Sequence, residues 1–227
     1  KYASDFTLTW QDTIKGDYDD IGNSVHQTQD GGFLVCGTSY DGTDNDIVLW
    51  KLAADGNTDS TKVIYTETTD NNVNDIGNYA QQTNDGGYVL VGSSYSAANA
   101  FDIRLIKLNS SADTTAANGG GFDTTYSYVN AGGYNDDHGI YVQQTVDNGF
   151  IVVGNTYTSG WGQSNIIALK TDYLGRPEGG TMQVFGGAYQ DEAHGVRQTQ
   201  DGGFIIVGSK YSQNSTMDDV WTIKLTN

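Results

Sequence analysis

Cysteine, proline and positive charge are nearly absent from this chain. A single cysteine, Cys36, among 227 residues leaves no intrachain disulfide to form, which excludes a cysteine-stapled mini-domain. It lies within Phe33-Leu34-Val35-Cys36-Gly37 and reads as a small apolar core side chain rather than a nucleophile. Lys plus Arg is 11 against 28 Asp plus Glu, a formal charge of −17. That excludes nucleic acid, whose phosphates need a basic footprint, and electrostatic docking on anionic lipid. No apolar run reaches the roughly 18 residues of a membrane-spanning helix, so membrane insertion is not expected. No 3.6-residue apolar period persists for three turns, so helices are not expected either. Also missing are a Gly-x-Ser-x-Gly elbow, a phosphate-binding Gly-x-x-x-x-Gly-Lys loop, a His-Glu-x-x-His pair and any cysteine pair at zinc spacing.

What is present is an internal repeat. Gln27-Thr28-Gln29-Asp30-Gly31-Gly32-Phe33-Leu34-Val35-Cys36-Gly37 recurs from Gln82 to Gly92, from Gln144 to Gly154 and from Gln198 to Gly208. The four aspartates of these blocks, Asp30, Asp85, Asp147 and Asp201, stand 55, 62 and 54 positions apart. Each copy continues to a tyrosine (Tyr40, Tyr95, Tyr157, Tyr211), a variable loop and a strand such as Asp102-Ile103-Arg104-Leu105-Ile106-Lys107-Leu108. Each is preceded by an aspartate: Asp20, Asp75, Asp137 or Asp191. The repeat therefore fills the chain at about 57 residues per copy.

Each Asp-Gly-Gly or Asp-Asn-Gly supplies the positive φ angles expected of a two-residue hairpin turn. The run after it is apolar at successive positions, so that strand must be covered on both faces. Segments such as Thr61–Thr66 are mixed, as befits strands nearer solvent. Small sheets with buried inner strands and a half-wet outer strand predict an all-β, four-bladed β-propeller in one domain, 1–227. Its repeats run roughly over 17–66, 72–128, 134–185 and 188–227, the last joined by 5–14. Three copies carry a fourth strand, around Val63–Tyr65, Thr125–Tyr128 and Met182–Phe185, and the last copy lacks one. The strand Phe6–Trp10 is expected to complete that last blade, in cis or from a neighbouring subunit.

The set of Asp-Gly-Gly-Phe/Tyr, apolar triplet, Gly and downstream Asp-Ile-x-x-x-Lys-Leu resembles the tandem repeats of secreted and surface-anchored prokaryotic β-propeller proteins. The resemblance covers nearly the whole chain and implies a propeller fold, an extracellular or cell-surface location and a binding or scaffolding role. The chain opens at Lys1 with neither an initiator Met nor an apolar leader, which reads as a processed or shortened form.

Candidate site residues are few. Asp20, Asp75, Asp137 and Asp191 share one repeat position and could converge at a channel mouth around Ca²⁺, or each could cap its own turn. No other cofactor is expected. The histidines His26, His138 and His194 fall at different repeat positions and read as surface or turn residues. Trp161, Phe101 and Trp10 are candidate ligand or interface aromatics, the first two for stacking on a sugar. With no catalytic set in view, the sequence favours a non-catalytic extracellular structural subunit that self-associates into an oligomer, filament or tube. The alternative is a secreted module recognising a glycan or a cell-surface protein through its variable loops. An enzyme using carboxylates at a channel mouth ranks last.

Overall fold

The computed structural model describes residues 7–14, 16–55, 62–66, 73–95, 100–114, 121–130, 133–134, 136–157, 163–180, 182–212 and 217–226. It is all-β, with no helix among the described residues. The first sheet is an antiparallel meander of β1 (Asp20–Gln27), β2 (Phe33–Tyr40), β3 (Asn45–Leu52) and β4 (Lys62–Thr66). The second repeats it with β5 (Asp75–Gln82), β6 (Tyr88–Tyr95), β7 (Phe101–Leu108) and β8 (Phe122–Tyr126). A short ribbon, β9 (Val129–Asn130) and β10 (Gly133–Tyr134), leads to the third sheet. That sheet comprises β11 (Asp136–Gln144), β12 (Phe150–Tyr157), β13 (Ser164–Thr171) and β14 (Gln183–Phe185). The fourth has three strands: β15 (Asp191–Gln198), β16 (Phe204–Ser212) and β17 (Met217–Leu225).

The doubly apolar strands are where coverage on both faces demands them. β6, β7, β12 and β13 are buried over most of their length because the second and third sheets each have a neighbour on either side. Three core clusters form between successive sheets: Leu34, Cys36 and Leu49 against Leu90 and Ile106, then Val91 and Leu105 against Val142 and Val152, then Val153 and Ile166 against Val196 and Ile206. Cys36 is fully buried there, and burial pushes its thiol up to about 12.

The expected closure is not seen. Among the described residues no core cluster joins the fourth sheet to the first, and no strand pairs with the outer side of β17. The N-terminal segment goes elsewhere. Trp10 meets Phe33 edge-on at 5.8 Å and, with Ile14, packs on Val48, Trp50 and Leu52. The cause is the uncovered outer face of β2 and β3, which has no preceding sheet and takes the apolar residues closest to it in the chain.

The turns also differ from expectation. Thr28 N–H donates to the Gly32 carbonyl at 2.9 Å, and only Gly31 is left-handed, with φ 81°. The loop is therefore three residues with one αL position, filled by Asn148 (φ 66°) in the third copy. Its aspartate is held from three sides: Thr28 Oγ1 at 2.6 Å, Gly32 N–H at 3.0 Å and Lys51 Nζ at 2.9 Å. The same lysine reaches the same aspartate in every copy: Lys107–Asp85, Lys170–Asp147 and Lys224–Asp201. Burial pulls the Asp147 carboxyl upward, but hydrogen bonds from Thr145, Lys170 and Gly149 win and hold it at about 2.

Adjacent sheets are stitched by a glutamine from each following sheet. Gln82 accepts the Gln29 amide at 2.8 Å, Gln144 the Asn84 amide at 2.9 Å, and Gln198 the Val146 amide at 2.9 Å. Every first strand carries a bulge, and the glycine across from it admits nothing larger. A Cβ on Gly92 would stand 2.0 Å from the Ile76 carbonyl. Gly92→Ala should therefore cost about 3 kcal/mol in a urea melt, whereas Gly195→Ala, whose Cβ meets only Val207 at 3.9 Å, should be nearly neutral.

Candidate functional site

The four repeat-start aspartates share one register place, pairing with Ser39, Ser94, Thr156 and Lys210, yet each has its own surroundings. Asp75, Asp137 and Asp191 are buried. Arg104 Nη1 lies 2.5 Å from Asp75 Oδ2, while its other nitrogens fork onto Asp123 at 3.0 and 2.8 Å. Asp191 is raised by burial, against the pull of Lys210 and the amides of Gly187 and Tyr211. Asp137 accepts the Tyr128 amide at 2.5 Å. The Tyr128 and Gly187 amides tie the return from one sheet's outer strand to the next sheet's first strand, whereas Arg104 links strands of the second sheet alone. Among the described residues, no three His, Cys, Asp or Glu side chains are grouped to hold a metal ion.

The junction of the second and third sheets gathers more chemistry. Burial drives the Asp137 carboxyl up to about 7, helped by the nearby carboxylates of Asp102 and Asp136. Asp136 is exposed and accepts the Phe101 amide at 2.9 Å. Phe101 packs edge-on to Tyr95 at 5.2 Å and tilted against His138 at 5.0 Å, and His138 meets Tyr157 at 5.7 Å. Burial lowers the His138 imidazole, with Asp136 opposing, and its Nδ1 lies 3.0 Å from Ser93 Oγ. The result is an acid that keeps its proton towards neutrality, an exposed carboxylate beside it and an aromatic wall. Phe101 thus falls at the site, Trp10 lies in the first sheet's packing, and Trp161 lies outside the described residues.

A second constellation went unread in the sequence. His26, Tyr79, Tyr141 and Arg197, one from each first strand, form a hydrogen-bonded line across all four sheets. Tyr79 Oη donates to Tyr141 Oη at 2.7 Å, and the two rings stack with centroids 3.9 Å apart. Arg197 lies 4.8 Å above the Tyr141 ring and bonds its hydroxyl, and His26 bonds the Tyr79 hydroxyl. The signal was available: Tyr79 and Tyr141 stand four residues after their reference aspartates, His26 and Arg197 six after theirs.

No family model and no curated protein matches the chain. Solved structures do. An endo-arabinase from Bacteroides thetaiotaomicron VPI-5482 superposes with a TM-score of 0.51 at 13% identity, covering 89% of this chain and 74% of that one. A proposed exo-beta-1,3-galactanase from Bifidobacterium bifidum s17 gives 0.51 at 12% identity, covering 94% of this chain and 72% of that one. Identity this low speaks for the fold alone. It nonetheless corrects the reading of a non-catalytic structural subunit: the structures sharing this fold carry the names of glycan-acting enzymes. The lack of a familiar catalytic motif in the sequence is thus no ground for excluding catalysis, and the filament that followed from the structural reading falls with it.

Proposed function

We propose that this chain is a carbohydrate-active enzyme domain, its four sheets arranged as blades of an open propeller-like array, acting on glycans at or outside the cell surface. The observation that carries the reading is the carboxyl cluster between the second and third sheets, where Asp137 sits beside Asp102 and the exposed Asp136. Glycosidic bond cleavage requires one carboxyl to supply a proton and another to act as carboxylate, and environments that push their pKa values apart assign the roles. Here Asp136 is the carboxylate within reach of a sugar, and Phe101 offers the adjoining stacking surface. Asp137 is wholly buried and does not touch the sugar, so its proton reaches the departing oxygen only through a water entering beside Asp136. The names of the fold neighbours support a glycan as substrate.

Release of reducing ends from arabinan and from β-1,3-galactan measures the activity directly. Asp136→Asn should lower the rate at least 100-fold on whichever polymer is cleaved, with the melting temperature kept. A folded wild-type protein that releases nothing from either polymer, or an Asp136→Asn variant as active as wild type, overturns the reading.

A further inference from the structure

Ser24, Tyr79, Tyr141 and Gly195 occupy one equivalent place, each just after the bulge of its first strand. Tyr79 stacks on Tyr141, and continuing that step into the fourth sheet calls for another ring. Gly195 leaves the place empty: a Cβ built on it meets only Val207 Cγ1, at 3.9 Å. The space is a cleft of about 290 Å³ bounded by Tyr141, Gly195, Arg197, Ile205 and Val207. That is near the lower end for ligand sites and suits a single ring.

We propose that this slot binds a six-membered ring bearing a carboxylate, an acidic sugar residue of a glycan. That the ring is a sugar rests on the glycan-acting reading above; that it is a ring with an anion rests on the slot alone. Tyr141, Ile205 and Val207 supply apolar walls for the C–H face of a sugar. Arg197 supplies the charge. It bonds the Tyr141 hydroxyl and the Val196 carbonyl and, among the described residues, forms no ion pair. Lys51, Lys107, Lys170, Lys224 and Arg104 are, by contrast, all engaged by carboxylates, and of the other described cations without an ion pair Lys210 sits over the Trp221 ring and Arg176 lies away from the slot. An exposed guanidinium left without a carboxylate in a chain of charge −17 is matched by a carboxylate brought by the ligand, which it can take in a two-pronged bond.

Isothermal titration with a tetragalacturonide and with a neutral galactotetraose tests this. The acidic oligosaccharide should bind and the neutral one at least tenfold more weakly. Arg197→Met should weaken acidic binding tenfold or more. Gly195→Tyr, which installs the side chain that Tyr79 and Tyr141 carry at this place, should abolish it, and Gly195→Ser, the residue of the first copy, should weaken it less. Should Gly195→Tyr misfold, Arg197→Met and Gly195→Ser carry the decision. Binding of the acidic probe by wild type with no hydrolysis of any polymer keeps the slot while the enzymatic reading falls. Equal binding of the acidic and neutral probes, or undiminished binding to folded Gly195→Tyr, overturns the proposal.

Discussion

Urea denaturation of the wild-type protein should show stability falling between pH 4 and pH 7, and Asp137→Asn should remove most of that fall, the raised Asp191 carboxyl keeping a remainder. The native Asp137 carboxyl is raised from 3.8 to about 7 by burial and by Asp102 and Asp136. Between those values the folded state holds a proton that the unfolded state has released, so each step up in pH favours unfolding. The stabilisation is fully present below about 4 and gone above about 7, a swing on the order of 4 kcal/mol. Asparagine keeps an oxygen for the Tyr128 amide and cannot ionise. The variant should match wild type at pH 4 and exceed it by a few kcal/mol at pH 8. The turn aspartates act oppositely: Asp147 is held at about 2 by its hydrogen-bond partners against the pull of burial, so its contribution is present above about 4 and is lost as pH drops towards 2, and Asp85 is lowered in the same direction. An equal pH slope in wild type and variant would show that Asp137 is already ionised in the fold.

Removing Arg104 should be the most damaging single substitution on the second sheet. Asp75 is 0% exposed and its charge is met by the Arg104 guanidinium, which also forks onto Asp123. Arg104→Met leaves Asp75 buried without that partner and should cost about 3–5 kcal/mol. The double variant Arg104→Met/Asp75→Asn removes the stranded charge together with its partner and should recover most of the loss. A single variant within about 0.5 kcal/mol of wild type would mean that Asp75 does not depend on Arg104.

The repeat, its four copies and nearly every strand were legible in the sequence because apolar runs and turn residues recur at fixed offsets. Asp46–Leu52 became β3 and Met182–Phe185 overlaps β14 within a residue at its start. Pairing between distant segments was not legible. The Trp10 segment could satisfy either open end of the array, and what decides is which apolar face lacks a cover, a property of the assembled sheets. The Asp–Lys contact was visible as two repeated letters, but joining them needs the register that sets Leu34 opposite Lys51. The carboxyl cluster was half visible. Asp137 and Phe101 stood out, while the burial that makes Asp137 an acid depends on the third sheet packing on the second. The line from His26 to Arg197 escaped because its members share neither a residue type nor a single repeat place, whereas repeats are found by identity.

The glutamine stitches between sheets carry a lesson about ancestry. Across the junction each meets a backbone amide of the sheet before it, and Gln82, Gln144 and Gln198 do so with the same atom on the same kind of turn. A junction written in such local terms is indifferent to how many precede it, so a gene segment encoding one sheet can be copied or deleted with a single seam to heal. The chemistry we propose lies where copies have since diverged, at the seam between second and third and at the vacant ring in the fourth.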